Sequence, residues 1–366
     1  MKIHYYISIV IVLLGLGCKQ SNPEDVLGRV GDEVTFAGRK WDVKWGLEPM
    51  GPGPNMFSRL YKDVWVDENG WLHLNIAKHD GIWYSSEVVG RDNLGYGTYT
   101  WTIQADPMSF SDNVVLGLFT WDNNTFYTDG NSEVDIEFAK WGDTTSTTPT
   151  TFSVQPVSFG AYYAERTRER AIDPNKLKGV TTHQFTWTDT LITWASYAGE
   201  TTTGTPIATW DFDLNNPPRR KMDGGQTSLP IVIPKPGCTT NARMNFWTLP
   251  FTALGPNNQL RHEVVIRNFT YEPIDIPQVK ISSVVASPTS NESITLINHT
   301  DANVNLAGWK IGDLNNPNAY IIPAGIVLNA GEMLTFNAGT MGFEISDSGE
   351  TIYLNDGIRC IDTWSN

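Results

Sequence analysis

Glu133, Asp135 and Glu137 are the residues whose type and spacing most plainly allow chemistry. They alternate with Val134, Ile136 and Phe138 in the run Ser132-Glu-Val-Asp-Ile-Glu-Phe138. Side chains of a β-strand point alternately to opposite faces, so acids at i, i+2 and i+4 share one face and the apolar residues share the other. A helix would not gather all three on one side, and the β-branched and aromatic content of the run favours a strand. Neighbouring carboxylates repel one another and raise each other's proton affinity, at a cost in stability. Such a row can hold one ionised and one protonated carboxyl side by side, the equipment of a nucleophile and a general acid. Taken alone, the row fits catalysis, a Ca²⁺ site or a solvated strand face.

The elements that must position this row are strands. From about Val34 to Tyr271 short β-like runs alternate with Gly, Asn, Asp and Pro. Trp65 to Ile76 has Asn69-Gly70 between two apolar-rich stretches, a hairpin signal. Gly95 to Ile103 carries aromatic or apolar residues at every second position, and Val114 to Trp121 is apolar enough to be covered on both faces. Further strands are expected at Phe152–Gln155, His183–Trp187, Leu191–Tyr197, Ala208–Phe212, Met244–Trp247 and Glu263–Tyr271, with no long helical period anywhere. The pattern predicts an all-β sandwich or jelly roll. A proline-bearing connector at Glu272–Pro277 precedes a segment of smaller side chains and many Asn, where about seven short strands suggest a small immunoglobulin-like sandwich.

Composition narrows the partners. The chain of 366 residues has a formal net charge of −14 and no basic run, which argues against nucleic acid and anionic membrane surfaces. Its 14 Trp and 13 Tyr offer faces on which sugars stack, although most such rings are core. Lys2 and the apolar run Ile7–Leu16 read as an export signal, too short for a membrane span of about 20 residues. The run ends in Leu14-Gly-Leu-Gly-Cys18, which resembles the lipobox of bacterial lipoproteins and makes Cys18 a candidate lipidation site. Gly15 stands where that pattern most often has Leu, and an ordinary secretory signal cut nearby is the alternative. Both place the mature protein outside the cytoplasm, in the first case at the cell envelope or surface. Cys238 and Cys360 lie far apart and in different domains, and are expected to be unpaired. No CxxC or HExxH occurs, which argues against a zinc enzyme.

Set in order, the motifs resemble glycoside hydrolase family 16. Glu133-Val-Asp-Ile-Glu-Phe138 is similar to that family's active-site strand in the form without a β-bulge. Ser86-Glu87-Val-Val with Gly95-Tyr-Gly97, Leu118-Phe-Thr-Trp121 and Met244-Asn-Phe-Trp247 follow in family order. The resemblance covers about Val34 to Pro273 and implies a concanavalin-like jelly roll with a sugar-binding cleft. It implies Glu133 as nucleophile, Glu137 as general acid/base and Asp135 as the residue tuning both. A retaining glycosidase needs carboxyl groups about 5–5.5 Å apart, which acids four residues apart on a twisted strand can reach. Glu87, Trp121, Asn245, Trp247, Gln155 and Trp141 are the candidates for substrate contact. Two positions depart from the pattern: Asn131 stands where lichenases have a stacking Trp, and Val89 where an Arg is expected. Relatives carry a structural Ca²⁺ on the convex side, whose ligands the sequence does not place; no other cofactor is expected.

The tail resembles a lamin-tail domain, through Ser293–Asn298, Asn305-Leu-Ala-Gly-Trp309, Ile322-Pro-Ala-Gly325, Leu328-Asn-Ala-Gly331 and Ser348–Leu354. Such modules imply attachment or spacing. The expected division is a signal over 1–18, a tether over 19–33, a catalytic jelly roll over 34–273, a linker over 274–278 and an immunoglobulin-fold domain over 279–366. The expected function is an exported, surface-anchored endo-β-glycanase that retains configuration, with a β-glucan favoured as substrate. The alternative is a silent carbohydrate-binding or adhesion protein on the same jelly roll. The sequence leaves the linkage, the choice between hydrolysis and transglycosylation, and the oligomeric state open.

Overall fold

The computed structural model describes residues 31–155, 166–169, 172–213, 219–221, 227–230, 233–249, 255–276, 278–313, 315–316, 318–356 and 360–366. The signal, Cys18 and nearly all of the tether lie outside the described residues. Among those described, no helix is long and apolar enough to cross a membrane.

The first unit is a jelly roll of two antiparallel sheets. One runs in the order Glu33–Phe36, Arg39–Val43, Ile82–Gly90, Asn241–Thr248, Val114–Trp121, Val134–Ala139, Thr150–Val154 and Thr167–Glu169. The other runs Val64–Val66, Leu72–His79, His262–Pro273, Gly97–Ala105, Gly179–Trp187, Leu191–Ala198 and Ala208–Asp213. They join at a corner where Leu72–His79 turns back into Ile82–Gly90. Alternation sends one face of each strand into a shared core, where Trp101, Trp187, Trp194, Tyr99, Phe138, Phe152, Phe185 and Phe246 are all but fully buried. Burying one such side chain is worth about 3 kcal/mol.

The run Val114–Trp121 and the tail run Ser293–Asn298 are strands over their whole length. Gly95 and Tyr96 precede the strand assigned to them, which begins at Gly97. They close a corner instead: Tyr99 Oη donates to Gly95 O (2.7 Å), Gly95 N–H donates to Tyr271 Oη (3.1 Å), and Tyr271 Oη donates to Tyr96 O (2.9 Å). Gly97 is glycine for want of room, since a Cβ there would stand 2.5 Å from both Glu272 O and the Tyr271 ring.

The second unit is a small immunoglobulin-like sandwich. Val279–Val285, Ser293–Asn298 and Met333–Asn337 form one sheet, and Tyr320–Ile321, Lys310–Asp313, Thr351–Asn355 and Cys360–Ser365 the other. It has its own core of Ile294, Leu296, Leu306, Ile311, Ile352, Leu354 and Phe336. The motif Asn305–Trp309 holds a turn between two strands, with Gly308 at φ 81°.

The cysteines correct the sequence reading. Cys238, in a loop of the jelly roll, and Cys360, in the last strand of the second unit, form a disulfide with Cα atoms 5.5 Å apart. Sequence separation hid the pairing, because only the packing of one unit on the other brings the two thiols together.

Candidate active site

The three acids lie side by side where the sequence placed them. Val134, Ile136 and Phe138 are fully buried between the sheets, so Glu133, Asp135 and Glu137 face the open side. Glu133 just precedes the Val134–Ala139 strand but is already extended, and its carbonyl accepts from Gln155 N–H at 3.0 Å. Before it the chain makes two left-handed residues, Asn131 (φ 62°) and Ser132 (φ 52°). Asn tolerates that conformation. The Asn131 amide turns inward, donating to Asp122 O at 3.1 Å, so the position that lacks the expected aromatic ring is occupied by a buried turn. Ser132 Oγ donates to Lys235 O (2.6 Å), and Thr120 Oγ1 donates to Ser132 O (2.8 Å) while accepting from Val134 N–H (3.1 Å). These bonds fix the point at which Glu133 enters the sheet.

Strand register sets the rows beside each acid. Glu137 lies opposite Gly117 on one side and Thr151 on the other. Gly117 in turn faces Asn245, and Asn245 faces Glu87. Asp135 lies between Phe119 and Ser153, and Phe119 pairs with Arg243, which pairs with Val89. Together these side chains line a cleft of about 430 Å³, whose walls include Lys44, Glu87, Phe119, Trp121, Arg243 and Trp247.

Asp135 is the best held of the acids. Ser153 Oγ donates to its Oδ2 at 2.7 Å, Gln155 Nε2 approaches the same oxygen at 3.4 Å, and Trp194 Nε1, from the other sheet, donates to its carbonyl at 3.1 Å. Burial pushes the Asp135 carboxyl up to about 6, opposed by the bonds from Ser153, Gln155 and Glu133. Glu133 is raised well above the usual carboxylate range by burial, then by the charges of Asp135 and Glu137, with Arg243 pulling the other way. Glu137 is raised by burial and by the charge of Asp135. The titrations of the row therefore belong to the group as a whole. The charge of Asp135 raises the proton affinity of both neighbours.

The remaining candidates divide. Trp121 and Trp247 are half-buried in the cleft wall, and Trp121 Nε1 donates to Asn123 Oδ1 at 2.7 Å. Asn245 is buried in the floor with Oδ1 unpartnered, and only a glycine fits beneath it, because a Cβ on Gly117 would stand 2.5 Å from that oxygen. Gln155 lies behind Asp135, outside the cleft lining. Trp141 is also outside that lining; it is 36% exposed and its Nε1 lies 3.4 Å from Thr151 Oγ1, the residue opposite Glu137. Glu87 lines the cleft, yet it is 1% exposed and both of its oxygens are engaged, Oε2 by Lys44 Nζ at 2.8 Å and Oε1 by Arg243 Nη1 at 3.4 Å. Its carboxylate organises cations, which limits it as a free acceptor for a hydroxyl.

Sequence reading missed Lys44, Ser153 and Arg243. Arg243 was within reach, since Arg243, Asn245 and Trp247 alternate on one strand face and two of the three had been singled out. Lys44 carries no local signal. Among the described residues no cluster of three or more His, Cys, Asp or Glu side chains is arranged to hold a metal ion.

Residues 264–366 match the Lamin Tail Domain family. The match to the lamin tail domain begins inside His262–Pro273, a strand whose ladder partners belong to the jelly roll. No curated protein matches the chain by sequence. Among solved structures, the jelly roll is similar to a Bacillus licheniformis β-glucanase, at 18% identity and a TM-score of 0.44, over 67% of this chain and 100% of that one. A laminarinase from Flavobacterium sp. UMI-01 is 12% identical with a TM-score of 0.45, over 66% of this chain and 99% of its own. Rv0315 of Mycobacterium tuberculosis, described as an immunostimulatory antigen and pseudo β-1,3-glucanase, is 15% identical with a TM-score of 0.47, over 68% and 97%.

Proposed function

We propose that the chain is an exported glycoside hydrolase that cleaves a β-linked polysaccharide, a β-glucan by preference, in an endo fashion and with retention of configuration. The observation that carries this reading is the row of three carboxyls, buried at Asp135 and half-buried at Glu133 and Glu137, in a cleft walled by Trp121 and Trp247. A surface that only bound sugar would gain nothing from packing three acids together at the cost of desolvation and repulsion.

In this reading Glu137, holding its proton against the charge of Asp135, protonates the leaving glycosidic oxygen. Glu133 attacks the anomeric carbon from the opposite face of the ring. The glycosyl-enzyme ester then yields to a water from which Glu137, now ionised, takes a proton. Burial of the row makes the proton available near neutral pH, whereas an exposed Glu would already have lost it. Trp121 and Trp247 offer flat apolar faces to sugar rings, and the unpartnered Asn245 Oδ1 would accept a hydroxyl.

The Cys238–Cys360 disulfide suits an oxidising compartment and agrees with export, with lipidation at Cys18 as the proposed anchor. The lamin tail domain would then serve attachment or spacing. The test is reducing-sugar release from a panel of β-glucans and algal galactans by the protein and by its Glu133→Gln and Glu137→Gln variants. Turnover by the parent and its loss in both folded variants is expected, with the product anomer followed by NMR. Parental activity in Glu133→Gln would refute the assignment, and silence of the parent with measurable glycan binding would favour the binding-protein alternative.

A further inference from the structure

A nucleophile must be ionised when it attacks, and the surroundings of Glu133 work against that. Burial and two neighbouring acids all favour its protonated form, so a cation is needed in the cleft. Two are there, Lys44 and Arg243. Lys44 is drawn aside: its Nζ is bonded to Glu87 Oε2 and to Gly51 O (2.5 Å), and it sits 4.5 Å from the centre of the Phe57 ring. Arg243 lines the cleft beside Trp121. Its guanidinium lies 5.4 Å over the Trp121 ring, and its Nε donates to Asn241 Oδ1 at 3.0 Å. The register pairs Arg243 with Phe119 and Phe119 with Asp135, and one alternation step further along those two strands lie Trp121 and Glu133.

We propose that Arg243 is the positioning residue that keeps Glu133 ionised as the nucleophile, with Glu87, Lys44 and the Trp121 face holding the guanidinium in place. The proposal rests on the glycosidase reading and deepens it. Glu87 is the counterion of two cations, so the trio carries one surplus positive charge in the cleft that holds the acids. The charged groups facing Glu133 are Asp135 and Glu137 on its own strand, Arg243 on the Asn241–Thr248 strand, and the Glu87–Lys44 pair beyond it; Asp122 acts on Arg243 from the loop before Glu133. Arg243 opposes the rise in the proton affinity of Glu133, whereas the cross-strand neighbours of Glu137 are the uncharged Gly117 and Thr151. The difference in surroundings gives the two glutamates different roles although both stand in one row. The guanidinium also lies opposite Val89, so the strand next to the expected position supplies the charge missing from it.

The experiment compares Arg243→Met, which keeps the apolar stem, and Arg243→Lys, which keeps the charge, with the parent. Two readouts are taken: the pH profile of kcat/KM, and the titration of Glu133 by carboxyl ¹³C NMR, assigned with Glu133→Gln. Arg243→Met should move the acid limb and the Glu133 titration upward by roughly one pH unit or more, about a tenfold loss of kcat/KM below the limb. Arg243→Lys should restore most of the shift. A Glu133 titration in folded Arg243→Met that coincides with the parent's would overturn the proposal. So would a lysine variant as shifted as the methionine one, since that would assign the effect to shape. The NMR readout needs no turnover, so failure of the glycosidase reading would show separately, as a parent silent on every glycan.

Discussion

Ser153→Ala removes one hydroxyl from behind the acid row, and its effect can be worked from the geometry. Ser153 is buried directly opposite Asp135, and its Oγ is 2.7 Å from Asp135 Oδ2. A hydrogen bond to a charged group is worth about 1.5–3 kcal/mol, and each pH unit corresponds to about 1.4 kcal/mol. Losing the bond should therefore raise the Asp135 titration from about 6 by roughly 1–2 units. Gln155, at 3.4 Å, is too distant to take its place. Asp135 would then stay largely neutral at pH 7, and the charge that keeps the proton on Glu137 would be withdrawn there. Followed by carboxyl ¹³C NMR, the Asp135 titration should move up by roughly 1–2 units, while activity well above both values, where Asp135 is ionised in either protein, changes little. Ser153→Thr keeps the hydroxyl and should stay close to the parent. If Ser153→Ala folds normally and its Asp135 titration overlays the parent's, the Ser153 bond does not set the protonation of the row.

His183 offers a test that needs no substrate. It is buried beneath Phe138, bonded to Ser196 Oγ and Thr181 Oγ1, and burial lowers it to about 3. The unfolded chain takes up a proton near pH 6.5 while the folded one refuses it until about 3, so stability should fall by about 1.4 kcal/mol per pH unit below 6.5. Urea denaturation of the parent and of His183→Gln between pH 7 and pH 4.5 should differ by about that slope; parallel curves would show that His183 does not govern acid lability. Gly117→Ala should displace Asn245 and lower kcat/KM by tenfold or more with only a small change in melting temperature, because the new methyl group intrudes on the cleft floor. Phe138→Ala, directly behind the row, should cost about 3–5 kcal/mol in chemical denaturation, and a loss under 1 kcal/mol would mean that the core there refills.

The period-two alternation from Glu133 to Phe138 made the acid row legible, because one face had to be buried and that choice turned every carboxylate outward. Trp121, Asn245 and Trp247 were singled out instead by the resemblance of their strands to the family's motifs, and all three line the same cleft as the acids. What stayed hidden was whatever depends on which strand lies next to which. Arg243 and Lys44 meet on Glu87 across long stretches of sequence, and no local pattern announces their convergence. Glu87 looked like an open acceptor for the same reason, since its saturation by two cations is a property of the sheet. The strand Cys360–Ser365 passed unnoticed because its half-buried Cys-Ile-Asp-Thr-Trp-Ser mixture lacks a clean alternation. Asn131 was read as a missing aromatic, whereas the backbone there needs a residue at ease with positive φ.

The disulfide gives the molecule a second covalent route between its units. The first is the backbone through 274–278; the other crosses from Cys238 to Cys360, 122 residues further along. A protease that cuts the connector would therefore release nothing: the two fragments would migrate as one species without reductant and separate only with it. The loop holding Cys238 also braces the turn before Glu133, with Thr239 and Thr240 bonded to Asp122, and Lys235 to Asp129 and Ser132. The tail is thus fastened to the stretch of backbone that delivers the first acid into the cleft. Tension applied between the two units would reach that stretch directly.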